Sequence, residues 1–578
     1  MIFVYLIFKF IQDMQKNGAT KLNLKELKDK FLFIVVGGCD AIGTNFYLYH
    51  YAGHWIAVDY GLGFADTLKT PGVELLLPNI SFLKNNNIKL DALIITHSHE
   101  DHIGGVCEMY KYLKCPIYCT KFAKNFLQVD ALEMPIVPNL KIIEICNKKT
   151  YKIGKFEIEF IPLTHSTIEA QGVYIKTDKG SVFHTGDWKF DDAPVLGKVS
   201  DKDRIKELVK DNPLSLLVCD STNCMKDSKN KSESILFDSL VQIISRKKRM
   251  VVISTFASNI SRIQTMYNVA QATGRRLVVC GWSMEKIISI AQESGYLLDI
   301  DYLDAKDARK FPREMLLVLA TGCQGEQNAT MAKLAYDKHP FLKLQQNDCV
   351  IFSSKVIPGN ELDVENIINA LILRNVDIVA EKDNLVHVSG HAYRSDLKEM
   401  YELTKPLNFI PMHGDWLMLH EHAKFAKSCG IKSIITPRNG CIVEINGNSI
   451  EQIGQFDSST ICLDGNRLLD DGNRIFKDRK AIANDGFVYC SVVIDKKKNT
   501  FACQPDIRAI GLFDFDNHEH IETMKDIAKK AIAVIKPRLF GRFGAKDIIA
   551  DKLKESLKNE IHKKTGKVPV IDVLVNFI

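Results

Sequence analysis

The residues His97-Ser98-His99-Glu100-Asp101-His102 crowd three imidazoles and a pair of acidic side chains into one stretch, after the apolar run Ala92-Leu93-Ile94-Ile95 and before Gly104-Gly105. A buried strand that stops at such a cluster delivers every side chain to one point on the sheet edge. A metal site needs that convergence. In extended backbone His97 and His99 point the same way, whereas Asp101 and His102 follow as the chain turns and can face a second ion. Neutral imidazole and carboxylate suit zinc, with manganese as the alternative.

Other chemistry-bearing residues stand at the ends of strand-like runs. His165 follows Lys155 to Ile161, and Asp187 follows Ser181 to His184. Alone, each reads as an ordinary core or turn residue. Beside the histidine cluster they read as ligands, because two ions need a bridging carboxylate and further imidazoles. Asp187 is the candidate bridge. Asp59 ends the run His54 to Val58 and could orient a ligand. Far along the chain, Val386-His387-Val388-Ser389-Gly390-His391 and Pro411-Met412-His413 again end apolar stretches in histidine. His413 can close the second metal shell.

The elements that must position these groups begin at Phe31. From Leu214 the rhythm changes: strands at Leu216 to Asp220, Met250 to Ser254, Arg276 to Cys280, Met315 to Ala320 and Cys349 to Ser353 alternate with helical stretches. That alternation implies a separate parallel sheet, inserted between the early ligands and the late histidines. Three polar turns follow its strands, at 255–259, 321–326 and 353–360. Their amides suit phosphate oxygens, and Phe256 suits a stacked base.

The chain has 578 residues, 46% of them hydrophobic, which predicts two to four domains. Its net charge of +6 comes from 76 basic and 70 acidic residues, so charge permits a polyanionic substrate without demanding one. Fifteen scattered cysteines, including Cys115 and Cys119 at ligand-like spacing, read as free thiols of a reducing, cytoplasmic compartment. The apolar run Met1 to Phe8 is too short to span a bilayer and breaks at Lys9. It reads as an appended helix, with Met14 as an alternative start, and no membrane role is expected.

These motifs resemble the β-CASP nuclease branch of the metallo-β-lactamase superfamily, and within it the ribonuclease J family. The first motif of that family matches Asp59, and the second matches His97 to His102. The third and fourth match His165 and Asp187, and Asp220, His391 and His413 match the three motifs peculiar to the branch. The resemblance runs from about Phe31 to Gly440, with a looser continuation beyond. It implies one ion on His97, His99, His165 and Asp187, and another on Asp101, His102, Asp187 and His413: two zinc ions per subunit. It also implies that Asp220 holds the imidazole of His391, which protonates the departing ribose oxygen.

The fold the resemblance implies is α/β: an αββα metallo-β-lactamase sandwich (31–215 and 380–455), an inserted α/β β-CASP domain (216–379) and a small C-terminal α/β domain (456–578), preceded by an N-terminal extension (1–30). The activity implied is metal-assisted hydrolysis of RNA, 5′ to 3′ from a 5′ monophosphate and also internally. RNA contacts are expected at Phe256, Ser258, Gly322, Cys323, Gln324, Gly325, Glu326, Ser389, Gly390 and His391. Cys323, Gln327 and the Gly38 to Ile42 segment depart from the family pattern. Homodimers or homotetramers and a complex for RNA decay or processing are the expected assemblies. The competing readings are a β-CASP nuclease acting on DNA, a site-specific RNA-processing endonuclease and, more remotely, a small-molecule ester hydrolase.

Overall fold

The computed structural model describes residues 26–578 except Asn212, Asp383 and Phe515. The apolar run and Met14 lie outside the described residues. The chain divides into two compact units, one holding residues up to 63 with 77–459 and the other holding 64–76 with 460–578.

The first unit contains two sheets packed face to face. An eight-stranded sheet runs in the order Ser449–Gln455, Cys441–Asn446, Phe31–Gly37, Phe46–Tyr51, His54–Val58, Ala92–Ile94, Ile117–Cys119, Ile142–Glu144. A seven-stranded sheet runs Thr150–Ile153, Phe156–Pro162, Gln171–Thr177, Gly180–His184, Leu216–Asp220, Asn408–Met412, Ser433–Ile434. Their inner faces share one core, in which Phe33, Tyr49, Ile56 and Val443 meet Phe156, Val173, Val218 and Ile410. Alternation along each strand sends the other residues outward. Ile161, Leu217 and Phe409 therefore pack beneath the helices Arg394–Thr404 and Trp416–Ser428 through Leu397, Met400 and Ala426. The result is the expected αββα sandwich.

Between Asp220 and Asn408 the chain builds a third, wholly parallel sheet in the order Leu303–Asp304, Arg276–Cys280, Leu316–Ala320, Val251–Ser254, Cys349–Phe352, Asp377–Val379. One boundary needs correction. Leu216–Asp220, assigned from sequence to the insertion, is a strand of the sandwich, paired in parallel with Gly180–His184 and Asn408–Met412. Its run of five buried residues looks the same between parallel neighbours in either sheet, so only the pairing partners distinguish the two.

Arg262, fully buried on the helix Ile260–Ala272, ties the insertion together. Its guanidinium pairs with Glu233 through both Nε and Nη2, and its Nη1 donates to Ser353 O (2.7 Å) and Oγ (2.6 Å).

In the second unit the strand Phe487–Asp495 alternates half-buried and buried residues. It pairs antiparallel with Asp506–Ile510 and parallel with Val570–Phe577. The helices His518–Ala533 and Ala545–Thr565 cover it with Met524, Ile527, Ile549, Leu553, Leu557 and Ile561. Segment 64–76, close to the first ligands in sequence, contributes Val73 to a small cluster with Cys462 and Phe476.

Candidate metal centre and catalytic dyad

The ligand-type residues reach one point because strand ends and short turns stop there. The strand Ala92–Ile94 runs out through Ile95 and Thr96 to His97, His99 is still extended (φ −74°, ψ 147°), and Glu100–Ile103 then forms one helical turn carrying Asp101 and His102. The sheet therefore delivers two imidazoles, and the turn delivers a carboxylate and a third. Gly61 makes this close approach feasible, since a Cβ there would lie 1.6 Å from the carbonyl oxygen of Asp101. Asp59 and His413 both adopt left-handed backbone (φ 60° and 52°), a strain that the surrounding contacts must hold.

Three four-residue clusters share Asp187: the two expected ligand sets, His97, His99, His165 and Asp187, and Asp101, His102, Asp187 and His413, and a third in which Asp187 and His413 meet Asp220 and His391. Asp187 Oδ2 lies 3.2 Å from His102 Nε2, 3.3 Å from His413 Nε2, 3.8 Å from His97 Nε2 and 3.9 Å from His165 Nε2. Asp101 Oδ2 is 3.6 Å from the Nε2 atoms of both His102 and His413. Ligands about 2.1 Å from a tetrahedral ion stand roughly 3.4 Å apart, so these spacings fit metal coordination. Buried Asp187 Oδ1 and His97 Nε2 have no hydrogen-bond partner, as atoms reserved for a cation should not.

Electrostatics point the same way. Burial drives His97 and His165 well below the ordinary imidazole range and takes His99 down to about 4. Burial pushes Asp187 up, but the charges of His102 and His413 outweigh it and hold the carboxyl well below its usual range. Neutral imidazole around ionised carboxylate is the ligand form a divalent cation requires. His102 is the exception. Burial opposes its charge, yet Asp187, Asp101 and Asp59 raise it well above normal, so a cation binding there would displace its proton.

A second layer fixes the ligands. Asp59 Oδ2 accepts from His102 Nδ1 (2.7 Å) and Thr96 Oγ1 (2.8 Å), and its Oδ1 accepts from Thr96 N (2.8 Å). His165 Nδ1 donates to Gly390 O (2.7 Å). Beside the two expected ligand sets, His391 Nδ1 lies 2.8 Å from Asp220 Oδ2, whose other oxygen accepts from Thr222 N and Oγ1. Burial pulls the His391 imidazole down, but the charges of Asp220 and Asp187 prevail and push it up to about 9.

Family models match in four stretches: a β-lactamase superfamily domain over 54–226, a ribonuclease J β-CASP domain over 247–371, a Zn-dependent metallo-hydrolase RNA specificity domain over 375–437, and a ribonuclease J C-terminal domain over 474–577. Ribonuclease J of Sinorhizobium meliloti is 33% identical over 556 residues, covering 95% of this chain and 97% of the relative. The chain belongs to the ribonuclease J family.

Ribonuclease J of Helicobacter pylori (strain B128) is 30% identical, covering 97% of this chain and 81% of the relative, and ribonuclease J 1 of Streptococcus pyogenes is 31% identical, covering 93% and 96%. A solved structure described as a protein of unknown function from Enterococcus faecalis V583 shares the fold at TM-score 0.52 and 17% identity, covering 72% of this chain and all of its own. As a ribonuclease J family member this is a metal-dependent hydrolytic ribonuclease that binds RNA. Among the described residues no helix is long and apolar enough to cross a membrane.

The loops assigned to RNA in this ribonuclease J relative fall into two groups. Ser389, Gly390 and His391 join the metal-type ligands. A Cβ on Gly390 would stand 2.9 Å from the His165 ring, and Ser389 Oγ accepts from Asn223 Nδ2 (2.7 Å). Gly322 to Glu326 instead follow Leu316–Ala320 at the C-terminal edge of the parallel sheet, as Phe256 and Ser258 follow Val251–Ser254. There Cys323 is buried, Gln324 bonds Lys355 O and Ile357 N, and the Glu326 carboxylate accepts from Gln324 N (2.9 Å).

Sequence reasoning missed Asn45, Thr96 and Asn223. Asn45 Nδ2 lies 2.9 Å from His413 Nδ1 and donates to Asp101 O at 3.0 Å, with Tyr47 OH donating to its Oδ1. Thr96 was detectable as the polar residue between strand and cluster. Asn45 carries no such signal, since strand pairing alone brings it there.

Proposed function

We propose that the protein degrades RNA 5′ to 3′ from a 5′ monophosphate and also cuts internally, with two zinc ions per subunit held by the two expected ligand sets and manganese as the alternative. The observation that carries the hydrolytic reading is the shared carboxylate of Asp187 between two complete ligand sets, with the His391–Asp220 dyad beside it. A bound metal would supply acidification of a coordinated water towards neutral pH and would offset charge on the phosphoryl oxygens.

The protein's own groups do the rest. Asp59 and Asn45 hold the imidazoles in register. Asp220 keeps His391 cationic and occupies its Nδ1, which leaves Nε2–H to protonate the departing ribose oxygen. The loop Ser389 to His391 supports a phosphate contact that sets the register of the strand relative to the clusters. A homodimer or homotetramer acting in the cytoplasm, within an RNA decay or processing complex, accords with this family membership.

The test is cleavage of one RNA carrying either a 5′ monophosphate or a 5′ triphosphate, labelled at each end in turn, with zinc or manganese and with a chelator. Mononucleotides released from the 5′ end of the monophosphate form, and lost in Asp101→Ala/His102→Ala, support the exonuclease reading. Internal cuts indifferent to the 5′ end would replace it with an endonuclease, and a preference for matched DNA would move the substrate class.

A further inference from the structure

Trp416 opens the helix Trp416–Ser428 directly after His413-Gly414-Asp415, and it is 48% exposed. Three residues of chain place it at most about 11 Å from the Cα of His413. Trp55 and Trp188, by contrast, are buried, so this indole is not a core residue. Its backbone is fixed from both sides. Asp415 caps the helix by accepting from Met418 N (2.9 Å), and Gly414 and Asp415 pair with Cys39 and Asp40.

A cation stands against the ring. The Arg438 guanidinium lies 5.9 Å from the indole centroid and donates from Nε to Asp40 Oδ1 (3.2 Å). Asp40 Oδ2 in turn accepts from Asn439 N (3.2 Å), and Asn439 Oδ1 accepts from Cys39 N (3.0 Å). The other exposed tryptophan, Trp282, also stands against a paired cation, the Lys286 ammonium held by Asp130 and Glu133, but it opens the helix Trp282–Ser294 after a strand of the inserted sheet and does not follow a ligand-type residue. An exposed indole on a fixed backbone, three residues from a ligand-type histidine and backed by the Asp40-paired guanidinium of Arg438, offers what single-stranded nucleic acid needs from a protein surface: a π face held against a planar cation.

We propose that Trp416, backed by Arg438, is a stacking platform for a base of the bound RNA close to the scissile phosphate. This rests on RNA being the substrate. The experiment uses the full chain carrying Trp282→Phe, so that Trp416 is the remaining exposed indole. Titration with a hydrolysis-resistant, 5′-monophosphorylated phosphorothioate RNA oligomer should quench tryptophan emission, and Trp282→Phe/Trp416→Phe should lose that quench. In parallel, abasic nucleotides are placed one at a time along a cleavable RNA. At one position the abasic sugar should raise KM about tenfold in the wild type. That penalty should disappear in Trp416→Ala and return in part in Trp416→Phe. An unquenched indole while fluorescence anisotropy reports bound RNA, or equal abasic penalties in wild type and Trp416→Ala, overturns the platform. Absence of RNA binding by anisotropy in the parent protein overturns the RNA reading itself.

Discussion

Replacing Asp220 by Asn should move the basic limb of the pH profile while leaving the fold in place. Asp220 Oδ2 sits 2.8 Å from His391 Nδ1, and the carboxylates of Asp220 and Asp187 together lift the imidazole against its burial to about 9. Cations bound to Asp187 would neutralise that residue's share, so Asp220 must carry the rise once the clusters are filled. Asparagine keeps the Oδ1 acceptor for Thr222 but offers His391 an N–H in place of a negative charge.

The sign follows from the role. A general acid works only while protonated, so a raised value extends activity upward in pH, and losing the carboxylate brings the descending limb down. At pH 8 an imidazole at about 9 is about 90% protonated and one returned to 6.5 is about 3% protonated, so the loss in kcat is at most roughly 30-fold and shrinks as bound cations cancel the Asp187 share of the rise. The assay is kcat at saturating RNA from pH 5.5 to 9.5 for the wild type and Asp220→Asn, repeated with a sulfur-bridged scissile linkage whose leaving group needs no proton. The reasoning is refuted if both proteins share one descending limb, or if the full defect persists on the sulfur-bridged substrate.

Three further outcomes are expected. Asp59→Ala removes the acceptor that orients His102 and should weaken metal affinity about 10- to 100-fold, measured by competition with a chromophoric chelator. Gly390→Ala places a Cβ 2.7 Å from Ser166 Oγ and 2.9 Å from the His165 ring, so metal binding read by calorimetry should weaken although no ligand is lost. Arg262→Ala leaves Glu233 buried without its cation and should cost about 3–5 kcal/mol in urea unfolding. Combining it with Glu233→Leu should recover part of that loss, and an unchanged midpoint in the single variant would contradict the buried pair.

Much of the site was legible because its ligands sit where apolar runs stop. His97, His165, Asp187 and His413 each follow a buried strand, and hydrophobic runs that end in histidine or aspartate are visible without a structure. The parallel sheet of the insertion was legible for a similar reason, since its strands alternate with helices. Residue type and local pattern thus pointed to the metal-type donors and to a separate inserted parallel sheet, whereas the dyad and the αββα layering were implied only by the resemblance to a family. Only the tertiary structure decided which strands are neighbours. It placed Leu216–Asp220 in the sandwich, brought Asn45 to His413 across 368 residues of chain, and assigned segment 64–76 to the second unit. Such pairings depend on hydrogen bonds and packing between segments far apart in sequence, and no local pattern encodes which distant edge a strand will meet.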